Sequence, residues 1–175
     1  MTKDLKELKT LIDKYILDNI QSKRSRTGKC NRIIPNSIPL DTYCYQYSRA
    51  PRKRKLDDVL NHLDDKFQKA LFYFLDTKGL DEIEVYNKAH IDRRLFSKIR
   101  SNENFKPSKK TAICLCFGLE LNLDEALGLL AKAGYTLSHS SRFDLIIEYF
   151  LKEEEYDLDM LNQVLYDYGE DILYI

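Results

Sequence analysis

The residues with the clearest chemical potential are cationic and lie close together in the middle of the chain. An apolar period predicts a short helix over residues 92–102, with Asp92 as a suitable N-cap. Guanidinium and ammonium groups bind phosphate oxygens and the acceptor edge of guanine, so this helix is a candidate for entering a groove of a nucleic acid. Its exposed side chains are Arg93, Arg94, Ser97, Lys98 and Arg100.

A second short helix is predicted directly before this one, over residues 81–89, with a turn at His90 and Ile91. The two helices share one apolar face. Two short helices joined by a tight turn form a helix-turn-helix, which positions the second helix for contact with a partner. The shared face contains Val85, Ala89, Ile91, Phe96 and Ile99.

A further group of polar residues follows at 106–110. Pro107 is predicted at the start of another helix, with Ser108, Lys109 and Lys110 in its first turn. Free backbone N–H groups and two ammonium groups make an anion site. Because lysines oppose the dipole at this end of a helix, a ligand explains them better than stability does. Together with Lys106, these residues are candidate phosphate contacts.

The run 82–100 resembles the helix-turn-helix of the lambda-repressor/Cro-like family. The runs 107–112 and 122–127 resemble the fourth and fifth helices of that family, including Asn122 and Glu125 as a capping box. The resemblance covers about residues 64–131. It implies a five-helix domain that forms dimers and binds double-stranded DNA through the helix at 92–102, as in bacterial or phage transcriptional regulators.

The chain departs from this family pattern at three positions. Tyr86 stands where a small alanine is usual, His90 where the turn usually has glycine, and Glu82 where a glutamine commonly contacts phosphate. The runs 96–101 and 138–150 are also similar to accessory domains appended to other bacterial proteins. These points support a second hypothesis, a non-enzymatic adaptor or inhibitor that binds a protein or ribonucleoprotein partner through a basic arm at 21–55 and the acidic C-terminal helices.

Residues 21–55 contain ten Lys and Arg against one acid, and three of the four prolines. This composition predicts a long irregular basic arm, which either lies along phosphates and in a minor groove or is a solvated linker. Tyr43, Tyr45 and Tyr47 alternate as in a strand, for stacking on unpaired bases or for packing. The candidate contacts of the arm are Lys23, Arg24, Arg26, Arg52, Lys53, Arg54 and Lys55.

The remaining segments are predicted to be helical. Residues 3–20 carry an apolar stripe suited to docking on the main domain or, less favoured, to self-pairing. Residues 57–78 begin the main domain, and 132–175 add two acidic helices capped by Ser140 or Ser141 and by Asp157. We therefore predict an all-α fold with four parts: a helix at 1–20, the arm at 21–55, a lambda-repressor-like domain at 56–131 and an extension at 132–175.

The net charge is zero, but its two signs are separated along the chain. Residues 1–110 contain 25 Lys and Arg against 15 Asp and Glu, whereas residues 111–175 contain 3 against 13. Either a basic face meets a polyanion, or the acidic end folds back and neutralises the basic part. No apolar run approaches the roughly 20 residues that span a bilayer. We predict a cytoplasmic protein without membrane contact.

The sequence offers no pattern typical of catalysis or of metal binding. Cys114 and Cys116 are two residues apart on a predicted helix, so they point to different sides. Cys30 and Cys44 have no ligand at metal spacing nearby. The histidines His62, His90 and His139 fall in separate elements. We expect free or buried thiols, no cofactor, no metal site and no enzymatic activity.

Overall fold

The computed structural model describes residues 5–24 and 66–173, and every regular element within these ranges is an α-helix. This confirms the predicted all-α class for the described part of the chain. None of these helices combines the length and apolar character needed to cross a lipid bilayer. The eight helices are α1 (Leu5–Arg24), α2 (Phe67–Lys78), α3 (Glu82–Lys88), α4 (Arg93–Ser101), α5 (Lys109–Gly118), α6 (Leu123–Lys132), α7 (Arg142–Lys152) and α8 (Leu158–Asp167).

Helix α1 continues beyond the end predicted from its apolar stripe. The prediction that residues 21–24 belong to an irregular arm was wrong, because the backbone of Lys23 and Arg24 is helical. Both residue types are good helix formers, and the first helix breaker after the stripe is Gly28. The tyrosine strand and residues 57–65 lie outside the described residues. The same holds for Arg26, Arg52, Lys53, Arg54 and Lys55.

Helix α5 is the centre of the fold, because every residue from 111 to 118 is buried. Helix α3 crosses it so closely that Gly118 is required. A Cβ atom at Gly118 would lie 2.6 Å from the carbonyl oxygen of Val85 and 2.8 Å from the Cβ atom of Ala89. This contact fixes the first helix of the helix-turn-helix on the core.

The C-terminal helices belong to the same core as the helix-turn-helix. Helix α7 packs on α6, α8 and α1, and its residues Ile146 and Phe150 are 0 % exposed. Helix α1 docks on α7 with Leu8, Ile12 and Ile16, so docking is the use seen for its apolar stripe. The predicted boundary at residue 132 therefore divides the sequence but not the core.

The turn of the helix-turn-helix uses a left-handed residue that is not glycine. His90 has φ of 51°, and its N–H donates to the carbonyl of Asn87 over 3.1 Å. The N–H of Ile91 then donates to the carbonyl of Tyr86 over 2.9 Å. These two bonds are the pattern that ends a helix with a left-handed residue, so histidine makes the turn for which glycine is usual.

Candidate nucleic-acid interface

Helix α4 presents its cations to solvent because its apolar side is buried. The carboxylate of Asp92 caps the helix by accepting the N–H of Arg94 over 2.6 Å. Phe96 and Ile99 are 3 % and 0 % exposed and attach the helix to the core. At the other end, the Gln68 amide donates to the carbonyl of Ile99 over 3.1 Å. The exposed side chains include Arg93, Arg94, Ser97, Lys98 and Arg100, as the sequence predicted.

The exposed side chains of α4 differ in whether they contact another charged or aromatic group of the fold. Arg93 and Arg94 have no ion-pair partner among the described residues. The ammonium of Lys98 lies 5.7 Å from the ring centre of Phe105, a cation–π contact that leaves it accessible. The guanidinium of Arg100 is paired with the carboxylate of Glu82. Within the described residues, helix α4 therefore has two guanidinium groups without an ion-pair partner in its first turn and one paired guanidinium group in its last turn.

Glu82, on α3, lies beside the exposed side chains of α4. An open cavity of about 620 Å³ is lined by Glu82, Arg93, Ser97 and Arg100 and extends to Tyr86. The ring of Tyr86 is half-buried, with its centre 5.8 Å from that of Phe96. Two departures from the family pattern thus lie beside the exposed cations: an aromatic ring that packs against α4 and a carboxylate that pairs with it.

The start of α5 differs from the sequence prediction. The helix begins at Lys109, and Ser108 is its N-cap, accepting the N–H of Thr111 over 3.1 Å. Pro107 precedes the cap and is not the first helical residue, because the Ser108 hydroxyl already meets a free N–H group. The carbonyl of Pro107 instead accepts the hydroxyl of Tyr135 over 3.0 Å.

Both lysines in the first turn of α5 have partners within the fold. The ammonium of Lys109 donates to the two carboxylate oxygens of Asp144 over 2.6 and 2.8 Å. Lys110 pairs with Asp171 over 3.3 Å and donates to the carbonyl of Ile172 over 3.0 Å. This corrects the argument that a ligand explains these lysines better than stability does. Asp144 on α7 and Asp171, which follows α8, supply carboxylates that offset the unfavourable position of these ammonium groups in the helix dipole.

Lys106 is the candidate phosphate contact in this region that has no such partner. Its side chain is exposed and makes no ion pair with any described residue. It follows Phe105, whose ring lies under Lys98, so it continues the positive surface from the end of α4. We call Arg93, Arg94, Lys98 and Lys106 the α4 cationic surface.

The acidic end of the chain partly neutralises the basic part. Asp167 accepts from Lys9 over 2.6 Å, in addition to the pairs that Asp144 and Asp171 make with the α5 lysines. Self-neutralisation, one of the two alternatives left by the charge pattern, is therefore realised for these pairs. The α4 cationic surface makes no ion pair with this acidic end within the described ranges.

Sequence reasoning missed two carboxylates that fasten the C-terminal helices. Asp144 is 3 % exposed, and Glu148 accepts the hydroxyl of Tyr15 over 2.9 Å and lies 2.8 Å from Nε2 of His139. The available signal was a pair of acids inside the apolar run of α7. Acids in such a run are buried only when they are paired or hydrogen-bonded.

Comparison with known proteins adds no relative to this description. No family profile, no curated protein and no solved structure matches the chain.

Proposed function

We propose that this chain is a non-enzymatic, sequence-specific DNA-binding protein that inserts α4 into the major groove. One observation carries the proposal. The apolar side of α4 is buried in the core, while Arg93 and Arg94 are exposed in its first turn and have no ion-pair partner among the described residues. In helix-turn-helix proteins the N-terminal residues of the second helix contact base edges. The resemblance to lambda-repressor/Cro-like proteins extends the proposal to a dimeric bacterial or phage transcriptional regulator.

The side chains of α4 divide into two roles under this proposal. Arg93 or Arg94 makes a bidentate contact with O6 and N7 of a guanine, and Ser97 lies one turn further along the side of Arg93. Lys98 and Lys106 contact phosphates, which fixes the position of the helix without reading sequence. Ser108, Lys109 and Lys110 drop out of the phosphate contacts because they cap or pair within the fold. Arg100 is also left out of these contacts because its guanidinium is paired with Glu82.

The first experiment is selection of bound duplexes from a random library, followed by fluorescence polarisation on the selected sequence. The double variant Arg93→Ala/Arg94→Ala removes two guanidinium groups from α4. A bidentate contact discriminates by about 1–3 kcal/mol, so the loss of that contact alone weakens binding at least about 5-fold.

A matched control removes two exposed charges from α1, which is not part of the helix-turn-helix. Lys6 and Lys14 on α1 are exposed and make no ion pair with a described residue. The variant Lys6→Ala/Lys14→Ala has the same net charge as the α4 double variant. An equal loss of affinity in the two variants would contradict reading by α4, and so would a selection that yields no preferred sequence.

A second candidate function is the adaptor that binds a protein or ribonucleoprotein partner. The observation in its favour is that Tyr73 and Ile83 are 66 % and 56 % exposed and line open cavities beside α4. Exposed apolar side chains grouped near one surface are typical of protein contacts. Capture of a partner from nuclease-treated extract, lost in Tyr73→Ser/Ile83→Ser and kept in Arg93→Ala/Arg94→Ala, would favour the adaptor over the DNA-binding protein.

A further inference from the structure

Glu82 lies where a negative charge opposes the proposed DNA contact. It is the first residue of α3, and its carboxylate pairs with the guanidinium of Arg100 on α4. The Glu82 side chain is 26 % exposed and that of Arg100 is 58 % exposed, so the pair is at the surface. The charge is therefore close enough to solvent to act on an approaching polyanion.

Arg100 shares a side of α4 with the residues proposed to face DNA. Arg93, Ser97 and Arg100 are spaced i, i+4 and i+7, which places them in one stripe along a helix. All three line the cavity that Glu82 also lines. A duplex that contacts Arg93 and Ser97 is thus brought towards Glu82, and its phosphates meet a carboxylate and a guanidinium that is already paired.

We propose that Glu82 limits the affinity of the chain for duplex DNA in two ways. It withholds Arg100 from phosphate, and it repels the phosphate that lies nearest to it. This inference rests on the proposed function and adds a determinant of affinity on α3 to the contacts on α4. Replacing Glu82 with neutral glutamine should therefore release Arg100 from its ion pair and allow it to contact an additional phosphate.

The test compares Glu82→Gln with Glu84→Gln. Both changes neutralise one carboxylate of the same helix and keep the size of the side chain. Glu84 pairs with Lys88, which also pairs with Glu120 over 2.8 Å, so neutralising Glu84 leaves Lys88 with a partner. Because the net charges of the two variants are equal, a difference between them reports the location of the carboxylate.

The measurement is the Kd for a labelled 20-base-pair duplex at several KCl concentrations. One additional phosphate contact steepens the slope of log affinity against log salt by about 0.9. We expect Glu82→Gln to bind about 5- to 10-fold more tightly near 0.1 M salt and Glu84→Gln to change affinity less than about 2-fold. Adding Arg100→Ala to Glu82→Gln should remove most of the gain. Exposed ion pairs contribute little to stability, so thermal unfolding should shift by no more than about 3 °C.

The failures of the two proposals are distinguishable. Wild-type binding that requires Arg93 and Arg94, with equal affinity in Glu82→Gln and Glu84→Gln, overturns this inference and leaves the proposed function standing. A gain that survives Arg100→Ala overturns the part assigned to Arg100. If neither the wild-type chain nor Glu82→Gln binds any duplex, both proposals are wrong.

Discussion

The ion pair between Lys109 and Asp144 joins the start of α5 to α7, and its removal tests how the C-terminal helices are held. The carboxylate of Asp144 accepts two hydrogen bonds from Lys109 and a third from the N–H of Ser138 over 2.9 Å. Lys109→Met keeps most of the aliphatic side chain and removes the ammonium group. It leaves a carboxylate that is 4 % exposed with a single hydrogen bond.

The solvent exposure of Lys109 and Asp144 determines how much the free energy of unfolding should fall in Lys109→Met. Removing one member of a buried ion pair costs about 3–5 kcal/mol. The Lys109 side chain is 32 % exposed, so solvent screens the pair partly and the lower value, about 3 kcal/mol, applies. For a chain of this size each kcal/mol corresponds to about 2–4 °C in Tm, which gives a decrease of about 6–12 °C.

The neighbouring pair of Lys110 and Asp171 is the matched control. Its side chains are 39 % and 86 % exposed, so it is a surface pair and contributes about 0–1 kcal/mol. Urea unfolding at pH 7, followed by far-ultraviolet circular dichroism, gives the free energy of unfolding of Lys109→Met and Lys110→Met. Equal losses in the two variants would refute the assignment of a buried charge to Asp144.

A double variant separates the buried charge from the lost packing. Lys109→Met/Asp144→Asn removes both charges, and the asparagine oxygen still accepts the N–H of Ser138. We expect it to regain about 1–2 kcal/mol relative to Lys109→Met, since a neutral amide costs less to bury than an unpaired carboxylate. A further loss of stability in the double variant would show that the ammonium of Lys109 is not what Asp144 requires.

Two other predictions concern packing and pH. Gly118→Ala should cost about 1–3 kcal/mol because its Cβ atom would overlap α3, whereas Gly128→Ala, with nothing within 4 Å, should stabilise α6 by about 0.5–1 kcal/mol. Calorimetric Tm values check both signs. Burial and the Glu148 carboxylate raise the pKa of Tyr15 above its ordinary value. The unfolded chain therefore loses this proton first, near pH 10, and stability falls as pH rises further. Tyr15→Phe should flatten that fall in urea unfolding between pH 9 and 11.

The positions of the helices were predictable because their ends carry local chemical signals. Asp92 caps α4, and Asn122 and Glu125 form both hydrogen bonds of the capping box at the start of α6. A cap is recognised by groups within three residues, so sequence alone suffices. The end of α1 lacked such a signal, since no glycine or proline follows its apolar stripe until Gly28. The prediction ended the helix where the stripe ended.

The partners of the charged residues were not predictable in the same way. Asp144 lies 35 residues after Lys109, and Asp171 lies 61 residues after Lys110. Nothing local to Lys109 and Lys110 distinguishes a carboxylate supplied by α7 from a phosphate supplied by a ligand. The position of these lysines in the helix dipole predicted a nearby anion, and the structure places carboxylates of the chain there. The sequence could not indicate these carboxylates because the fold of the C-terminal segment is a long-range property.

Because the α5 lysines are paired within the fold, fewer cationic side chains are available to contact a polyanion, and the salt dependence of binding should be correspondingly weak. With Lys109 and Lys110 engaged, Lys98, Lys106 and one arginine of α4 provide about three phosphate contacts. With three phosphate contacts, raising the salt concentration from 50 to 200 mM weakens binding only about 40-fold. With six to ten contacts, the same increase weakens binding about 10³–10⁵-fold. A described surface of this size gives weak sequence-independent binding. A steeper measured slope would therefore assign the additional contacts to the basic residues at 21–55 or to a second copy of the chain.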